Sequence, residues 1–378
     1  MPGHTSLPEW HDQAAAWLLS VLTPAAAQQE KAPPKTQSAE SKAPDEPNAA
    51  WLTAVKGFPR MRIEQRTVKP LFTCQEKWEG AFISYISVVR DKNAWHMWYE
   101  SFDGAPRNDV QRLLCYARSR DGVRWERPNL GLVEYGGNKN NNILMDGLKS
   151  PGVAGSTVFL DERAPAAERF KMVFIRPGGG GAAGAYPIFG ATSPDGVNWR
   201  VLAEPLLKGS FDTQNVCFRD GDVFRLYVRL WTRGRTVGYC QSPAFGNFPK
   251  PKVILSADDR DPAGMDFYDS AATKLAGNLY VMFPSALYTK EKDGPVRPHM
   301  AVSRNGKDFQ RVGRNPVLPM GRGSFDSTTI YVATAVPGDR PGTYWFYYVG
   351  YKTGHHVNYE PKGGGIGRFC LLVDEESK

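Results

Sequence analysis

The stretch Trp95-His96-Met97-Trp98-Tyr99 is an aromatic-rich strand segment that recurs in altered form along the chain. Each copy follows an apolar strand and a tight polar turn, and it precedes a loop and a third strand. The four other copies lie at residues 170–174, 224–228, 279–283 and 344–348. Repeats at a period of roughly 50–75 residues indicate supersecondary units that bury their faces against one another.

The number of these units predicts the fold. With four antiparallel strands in each, five units predict an all-β fold, a five-bladed β-propeller. The fifth unit reaches its third strand at residues 369–373. We expect residues 62–72 to supply its fourth strand and close the ring, because closure removes open sheet edges. A propeller has one funnel, and every repeat delivers corresponding residues into it.

The composition supports a packed β core and argues against several classes of protein. The 378 residues are 41% hydrophobic and 12% aromatic. The net charge of +8 arises from scattered Lys and Arg rather than a basic run, so we expect no nucleic-acid partner. No apolar stretch approaches the roughly 20 residues of a membrane span. The cysteines are odd in number and form no metal-binding pattern: Cys74, Cys115, Cys217, Cys240 and Cys370.

The first 50 residues differ in character from the rest. Residues 14–27 are mostly apolar and end in three alanines, which resembles a signal-peptidase site. We therefore predict a signal segment at 1–27 and a secreted or periplasmic protein, although Glu9 and Asp12 stand where a signal usually carries basic residues. Residues 28–50 are too rich in Pro, Ala and charge to fold and are predicted to be a disordered linker. The propeller domain is predicted at 51–378.

A second repeated motif follows the third strand of several units. It reads Ser-x-Asp-Gly-x-x-Trp at residues 119–125 and 193–199, with an Asn-Gly version at 303–309. The Asp-Gly pair makes a turn and the aromatic residue anchors the outer strand. We therefore interpret Asp121 and Asp195 as structural rather than catalytic residues.

Four acidic residues precede the predicted first strands of four blades. Asp212 and Asp326 end near-identical Gly-Ser-Phe-Asp segments, Asp269 lies midway between them, and Glu79 precedes the first blade. Since the first strand is the innermost one, these acids are expected to ring the axis on one face. The competing interpretation is that each acid only caps a turn or ties two blades together.

The ends of the second strands form a second predicted ring on the same face. Antiparallel strands return to the edge at which their partners began, so these ends meet the acids. Carboxylates, arginines and aromatic residues would then converge in one polar funnel. The residues concerned are Tyr99, Glu100, Arg176, Arg229, Ser285, His355 and His356.

With these motifs, the chain resembles the five-bladed propeller glycosidases of glycoside hydrolase families 32, 43, 62, 68, 117 and 130. The resemblance covers residues 78–373 and is closest to uncharacterised bacterial members. It implies hydrolysis of glycosidic bonds in a poly- or oligosaccharide by acids in the funnel. The implied catalytic residues are Glu79, Asp212, Asp269 and Asp326. The implied substrate-binding residues are Trp78, Tyr99, Glu100, Arg176, Arg229, Tyr268, His355 and His356.

The chain departs from these families in one informative respect. Family 43 enzymes place acids on blades one, two and three, whereas blade two begins here with Gly155-Ser156. The roles of acid, base and nucleophile therefore stay open, as do the linkage cleaved and the oligomeric state. No cofactor is implied, although a structural calcium ion in the funnel is compatible with the pattern. A carbohydrate-binding propeller without turnover and a protein-interaction propeller remain alternatives.

Overall fold

The computed structural model describes residues 51–80, 82–102, 112–147, 153–176, 185–321, 324–357 and 364–374. The predicted signal segment at 1–27 and the predicted linker at 28–50 lie outside these residues. Within them the fold is all-β, as predicted. The only helices of the described part are two single-turn 3-10 helices, Lys77–Glu79 and Ala166–Glu168.

The strands follow one another in successive antiparallel units. The first strand of the chain is β1 (Arg60–Glu64). The next unit contains β2 (Phe82–Asp91), β3 (Ala94–Phe102), β4 (Arg112–Ser119), β5 (Trp125–Glu126) and β6 (Ile143–Asp146). The unit after it contains β7 (Ala154–Leu160), β8 (Phe170–Ile175), β9 (Ile188–Ser193) and β10 (Arg200–Val201).

Three further units complete the described chain. One contains β11 (Val216–Asp220), β12 (Val223–Trp231), β13 (Arg235–Ser242) and β14 (Lys252–Leu255). The next contains β15 (Met265–Lys274), β16 (Tyr280–Tyr288), β17 (Val296–Pro298), β18 (Ala301–Ser303) and β19 (Gln310–Arg311). The last contains β20 (Thr329–Pro337), β21 (Thr343–Tyr351) and β22 (Gly365–Asp374). The aromatic segments of the sequence fall in β3, β8, β12, β16 and β21.

Strand β1 completes the last unit by pairing with β22. The two strands run antiparallel, with Arg60 opposite Asp374 and Glu64 opposite Cys370. The strand is shorter than the predicted 62–72 and begins two residues earlier. Beyond Glu64 the chain still follows β22, because the backbone N–H groups of Thr67 and Leu71 donate to the carbonyls of Arg368 and Ile366 at 2.9 and 2.7 Å, and Phe72 forms an isolated bridge with Ile366.

Contacts between the first strands of the units run in a cycle. Strand β2 contacts β7, β7 contacts β11, β11 contacts β15, β15 contacts β20, and β20 contacts β2 again. The hydrophobic cores lie between consecutive units. For example, Trp98 of β3 packs with Phe170 and Met172 of β8. The repeats therefore bury their faces against one another, as the spacing of the aromatic segments predicted.

The Asp-Gly turns also link neighbouring units. The indole N–H of Trp98 donates to the carbonyl of Gly196, at 2.7 Å. The hydroxyl of Tyr227 donates to Gly306 at 2.6 Å, and that of Tyr347 donates to Gly122 at 2.7 Å. Each bond joins the second strand of one unit to the turn of another. The turns thus have a structural role.

Replacement of Gly196 by alanine should destabilise the protein more than the same change at Gly221. Both glycines have positive φ, 77° and 59°, so both variants should carry roughly 1–2 kcal/mol of backbone strain. A Cβ on Gly196 would lie 2.5 Å from Trp98, whereas one on Gly221 would meet nothing within 4 Å. Overpacking should add about 1–3 kcal/mol at Gly196 alone. Urea unfolding of both variants measures the difference, and equal losses would contradict the contact.

Candidate active site

The first strands carry irregularities that change the direction of their side chains. The pairing register shifts in β2 between Ser84 and Ser87, and in β15 between Phe267 and Ser270. Strands β7 and β20 shift at the corresponding places. A β-bulge leaves extra residues unpaired and re-aims them. Tyr85 is one of these residues and has a φ of +45°, which is uncommon for a side chain of its size.

A narrow cavity lies between the first strands. Its volume is about 10 Å³, which is room for a single water molecule. Asp269 is the one charged residue among the described residues that line it. The remaining lining residues come from all five first strands and the residues before β11: Ile86, Thr157, Gln214, Val216, Ser270, Ala271, Val332, Ala333 and Thr334.

Asp269 lies inside β15, in its bulge, and not before the strand as predicted from the sequence. Its side chain is buried, and within the described structure its Oδ1 atom has no hydrogen-bond partner. Burial raises the pKa of Asp269 to about 7, while the Ser285 hydroxyl and the Arg229 charge act in the opposite direction. Asp269 is therefore a carboxyl group that holds a proton close to neutral pH.

Glu100 is a second buried acid near the axis. One carboxylate oxygen accepts a hydrogen bond from the backbone N–H of Ser156 at 2.9 Å, and the other has no partner among the described residues. Burial raises the pKa of Glu100 to about 7, opposed by the charge of Arg112 and by the bond from Ser156. Ser156 precedes Thr157, which lines the cavity with Asp269.

Arg229 joins a third carboxylate to this region. It forms an ion pair with Asp212 and also donates to the backbone carbonyl of Asp212 at 3.0 Å. Burial lowers the pKa of Arg229 from its usual value, and two of its nitrogens have no partner in the described structure. The Asp212 side chain remains 35% exposed. Pairing with a guanidinium favours its ionised form.

Aromatic side chains connect these groups into one wall. The Arg229 guanidinium lies 4.9 Å from the ring centre of Tyr268, whose hydroxyl is 3.4 Å from that of Tyr85. The rings of Tyr268 and His355 are 4.5 Å apart. The Tyr331 hydroxyl is 3.2 Å from Nδ1 of His355. Residues from four of the five units therefore meet at this wall.

Both predicted histidines lie in this wall. Burial lowers the pKa of His355 to about 3, with smaller contributions from Arg235 and His356. Burial also lowers the pKa of His356. The two rings are 5.8 Å apart. At neutral pH, both are therefore uncharged hydrogen-bonding groups rather than cations.

Glu79 lies away from the axial cavity, in a cluster at the edge of its unit. Arg127 binds both oxygens of its carboxylate, at 2.8 and 2.9 Å. The Tyr99 hydroxyl and the backbone N–H groups of Gln75 and Glu76 donate to it as well. The carboxylate is fully buried and saturated with donors. This arrangement supports the structural interpretation of Glu79.

Asp326 forms a matching cluster in the last unit. The Tyr348 hydroxyl donates to it at 2.8 Å, Arg66 at 2.5 Å, and the Ser324 hydroxyl donates to its other oxygen. Tyr348 holds the position in β21 that Tyr99 holds in β3. Both acids therefore act as buried anchors that tie the segment before a first strand to the second strand.

Three predicted substrate-binding residues also lie outside the wall. Tyr99 is completely buried in the core, so its ring offers no platform to a sugar. The indole N–H of Trp78 donates to Asn142 at 2.9 Å. Arg176 lies over the ring of Phe189, 5.4 Å from its centre. Sequence reasoning missed Tyr85 and Tyr331. Tyr85 lies in a register shift of β2, which leaves no signal in the pattern, and Tyr331 is brought to the wall by its contact with His355, which is distant in the chain.

No metal site or membrane span is found in the described residues. They contain no group of three or more His, Cys, Asp or Glu side chains arranged to hold a metal ion. None of their helices is long and apolar enough to cross a bilayer. The structural calcium ion considered from the sequence stays a prediction.

The raised pKa of Asp269 should make the stability contributed by this position depend on pH. Between its unfolded value near 3.9 and its folded value, the folded state holds a proton that the unfolded chain has lost. Relative to Asp269→Asn, the unfolding free energy of the native protein should fall by about 1.4 kcal/mol per pH unit in that window, and level off above it. Urea unfolding of both proteins from pH 5 to about 8 measures this difference.

The unfolding free energy of the Asp269→Asn variant must be subtracted from that of the native protein at each pH. His299, with a pKa lowered by burial to about 4, and His355 make stability rise with pH over part of the same range. Their contributions are shared by both proteins and cancel in the difference. The exposed Asp222→Asn variant is the matched control and should show a flat difference. A flat difference for Asp269→Asn would show that Asp269 is ionised in the folded state.

Comparison with known proteins shows limited sequence similarity. No protein-family model matches the chain. Two uncharacterized proteins of Mycobacterium tuberculosis are 29% and 28% identical to it over 125 residues, which is 32% of this chain. The match spans only 35% of the length of these curated relatives.

Solved structures share the fold at low identity. An N-acetylgalactosamine deacetylase of F. plautii, in complex with blood group B trisaccharide, has a TM-score of 0.60 at 14% identity over 84% of this chain and 99% of its own. A thermostable family-43 glycoside hydrolase has a TM-score of 0.55 at 14% identity over 79% of this chain and 92% of its own. An α-L-arabinofuranosidase from Podospora anserina, in complex with cellotriose, has a TM-score of 0.55 at 12% identity over 82% of this chain and 98% of its own. The predicted resemblance to propeller-type glycoside hydrolases is confirmed for the fold.

Proposed function

We propose that the five units are the blades of a closed β-propeller. Two observations support this architecture. The first strands contact one another in a complete cycle, and β1 supplies the outer strand of the last blade. In addition, Tyr347 of the last blade bonds to Gly122 of the first. The axial cavity would then be the narrow end of the funnel.

We further propose that this funnel hydrolyses a glycosidic bond in a poly- or oligosaccharide. The observation that carries the proposal is the pairing of two unlike carboxyl groups around Arg229. Asp269 is buried and holds a proton near pH 7, whereas Asp212 is ion-paired and partly exposed. Glycoside hydrolysis requires one protonated carboxyl group and one carboxylate.

In this proposal Asp269 is the general acid. Because the cavity that it lines has room for one water molecule and not for a sugar ring, it would donate its proton through such a water molecule to the glycosidic oxygen as the bond from that oxygen to the anomeric carbon breaks. The Asp212 carboxylate either attacks the anomeric carbon or removes a proton from the water that does so. Arg229, which is itself buried, holds Asp212 ionised. Tyr268, whose side chain is buried, helps to hold Arg229 in place through the contact of 4.9 Å between the guanidinium and the ring centre.

Glu100 is the third carboxyl group of the proposed site. It projects from blade one towards blade two, where it binds the backbone N–H of Ser156. Blade two itself carries no acid at its start, so Glu100 supplies a carboxyl group on that side of the funnel. Its side chain is fully buried, and its role in substrate binding stays a prediction from the sequence.

A reducing-sugar assay on plant and algal polysaccharides tests the proposed function. We expect release of reducing ends from at least one glycan by the native protein, and loss of release by Asp212→Asn. Full activity of Asp212→Asn would refute the assigned pair. Glycan binding without any cleavage would instead support the carbohydrate-binding propeller. Export remains a prediction from residues 1–27, which fractionation of the producing cells would test.

A further inference from the structure

A large cavity lies beside the proposed site, and Trp231 in its lining contacts Arg229. Its volume is about 760 Å³, which is within the range of small-molecule sites. One wall is formed by residues 205–211 and leads directly to Asp212. Another is formed by residues 230–232 and directly follows Arg229. The cavity therefore lies close to Arg229, whose guanidinium is 5.7 Å from the ring centre of Trp231.

Trp231 gives this cavity an exposed aromatic surface. Its side chain is 53% exposed, which makes it one of only four large exposed hydrophobic residues in the described structure. The guanidinium groups of Arg229 and Arg235 lie 5.7 and 4.7 Å from the ring centre. These contacts hold the indole in place and leave much of it open. An exposed and immobilised indole is suited to pack against the apolar face of a sugar ring.

The polar residues of the cavity are cationic or neutral. Lys208 and Lys250 line it, are exposed, and form no ion pair with the described residues. Ser210 and Asn247 add neutral hydrogen-bonding groups. None of the described lining residues is acidic; the nearest acids in sequence are Glu204 and Asp212, and the latter is neutralised by Arg229. Such a cleft attracts anions.

We propose that this cavity is a subsite for an anionic sugar residue, carboxylated or sulfated, of the glycan that enters the funnel. The ring of that residue packs on Trp231, and its negative group is bound by Lys208 and Lys250. This proposal extends the proposed function. It rests on that function in one respect, which is that the saccharide bound in this cavity also reaches the funnel.

Binding measurements on the full chain carrying Asp269→Asn test this subsite without cleavage. The probes are an oligogalacturonate, a neutral galacto-oligosaccharide of equal length and a sulfated galactan oligosaccharide. Their binding is measured by calorimetry and by tryptophan fluorescence. We expect tighter binding of one or both anionic probes than of the neutral one. We also expect this preference to weaken strongly between low salt and about 0.5 M NaCl. The two anionic probes distinguish a carboxylate from a sulfate as the preferred group.

Variants identify the residues responsible. Lys208→Gln combined with Lys250→Gln should weaken binding of the preferred anionic probe about five- to tenfold and leave the neutral probe unchanged. Trp231→Ala should weaken both about tenfold. The exposed Lys307→Gln, on a turn outside the cavity, should change neither. The proposed subsite would be refuted by any of three results. These are equal affinity for the anionic and neutral probes, no binding of either anionic probe, or unchanged binding of the anionic probe by the double lysine variant. Lysine-dependent binding without any glycan cleavage by the native protein would refute only the proposed function.

Discussion

Replacement of Asp269 by asparagine should lower kcat/KM on the cleaved glycan by a factor of about a hundred to ten thousand. An amide has nearly the shape of the carboxyl group but cannot donate its proton to the leaving oxygen. Asparagine also removes an ionisable group from a buried position where one oxygen has no partner in the described structure. The variant should therefore remain folded, with thermal stability equal to or above that of the native protein.

The pH profile of the native protein provides an independent check on Asp269. A general acid works only while it is protonated, so kcat/KM should decline as the pH rises through about 7, the pKa to which burial raises this group. The control is Asp222→Asn, whose native side chain is 91% exposed, and which should retain full activity. If the Asp269→Asn protein stayed active and its kcat/KM declined over the same basic pH range as that of the native protein, another residue would donate the proton.

Replacement of Arg127 by methionine should destabilise the protein by about 3–5 kcal/mol, which is the cost of leaving one partner of a buried ion pair unpaired. Glu79 is completely buried, and Arg127 binds both of its carboxylate oxygens. Without the guanidinium, the carboxylate must stay charged without compensation or take up a proton. Urea unfolding followed by tryptophan fluorescence measures the loss.

Two further variants separate this effect from general surface changes. Addition of Glu79→Gln to Arg127→Met should recover much of the lost stability, since it removes the stranded charge. Arg118→Met breaks the ion pair with Glu126, in which both side chains are more than half exposed, and should cost less than about 1 kcal/mol. The folded fraction of the Glu79→Gln protein should keep its glycan cleavage. A loss of cleavage with intact folding would return Glu79 to the candidate catalytic residues.

The repeat architecture could be predicted because it rests on local pattern. Aromatic strands such as 95–99 and 344–348 recur with Asp/Gly-rich turns at comparable offsets, and the structure places each in the second strand of a unit. The contacts of the Asp-Gly turns support their structural interpretation. Asp121 and Asp195 accept backbone N–H bonds within their own turns, which is a local interaction that a short motif can encode.

Which residues form the candidate site could be predicted only in part from the sequence. Asp212 and Asp326 end the same Gly-Ser-Phe-Asp motif, yet one pairs with Arg229 beside the proposed site and the other is enclosed by Arg66 and Tyr348. The motif is the same in both places, and the partners come from distant parts of the chain. Sequence position therefore identified both acids as candidates and could not separate the buried anchor from the proposed reactive group.

The sequence by itself determined the all-β repeats, their turns and the set of acids from which a site is drawn, because strand periodicity and turn chemistry act over a few residues. Only the tertiary structure decided which acids face the axis and which are saturated by arginines. That choice depends on bulges that turn Tyr85 and Asp269 out of register. It also depends on burial, which raises the pKa of Asp269 and Glu100 through contacts between units that are far apart in the chain.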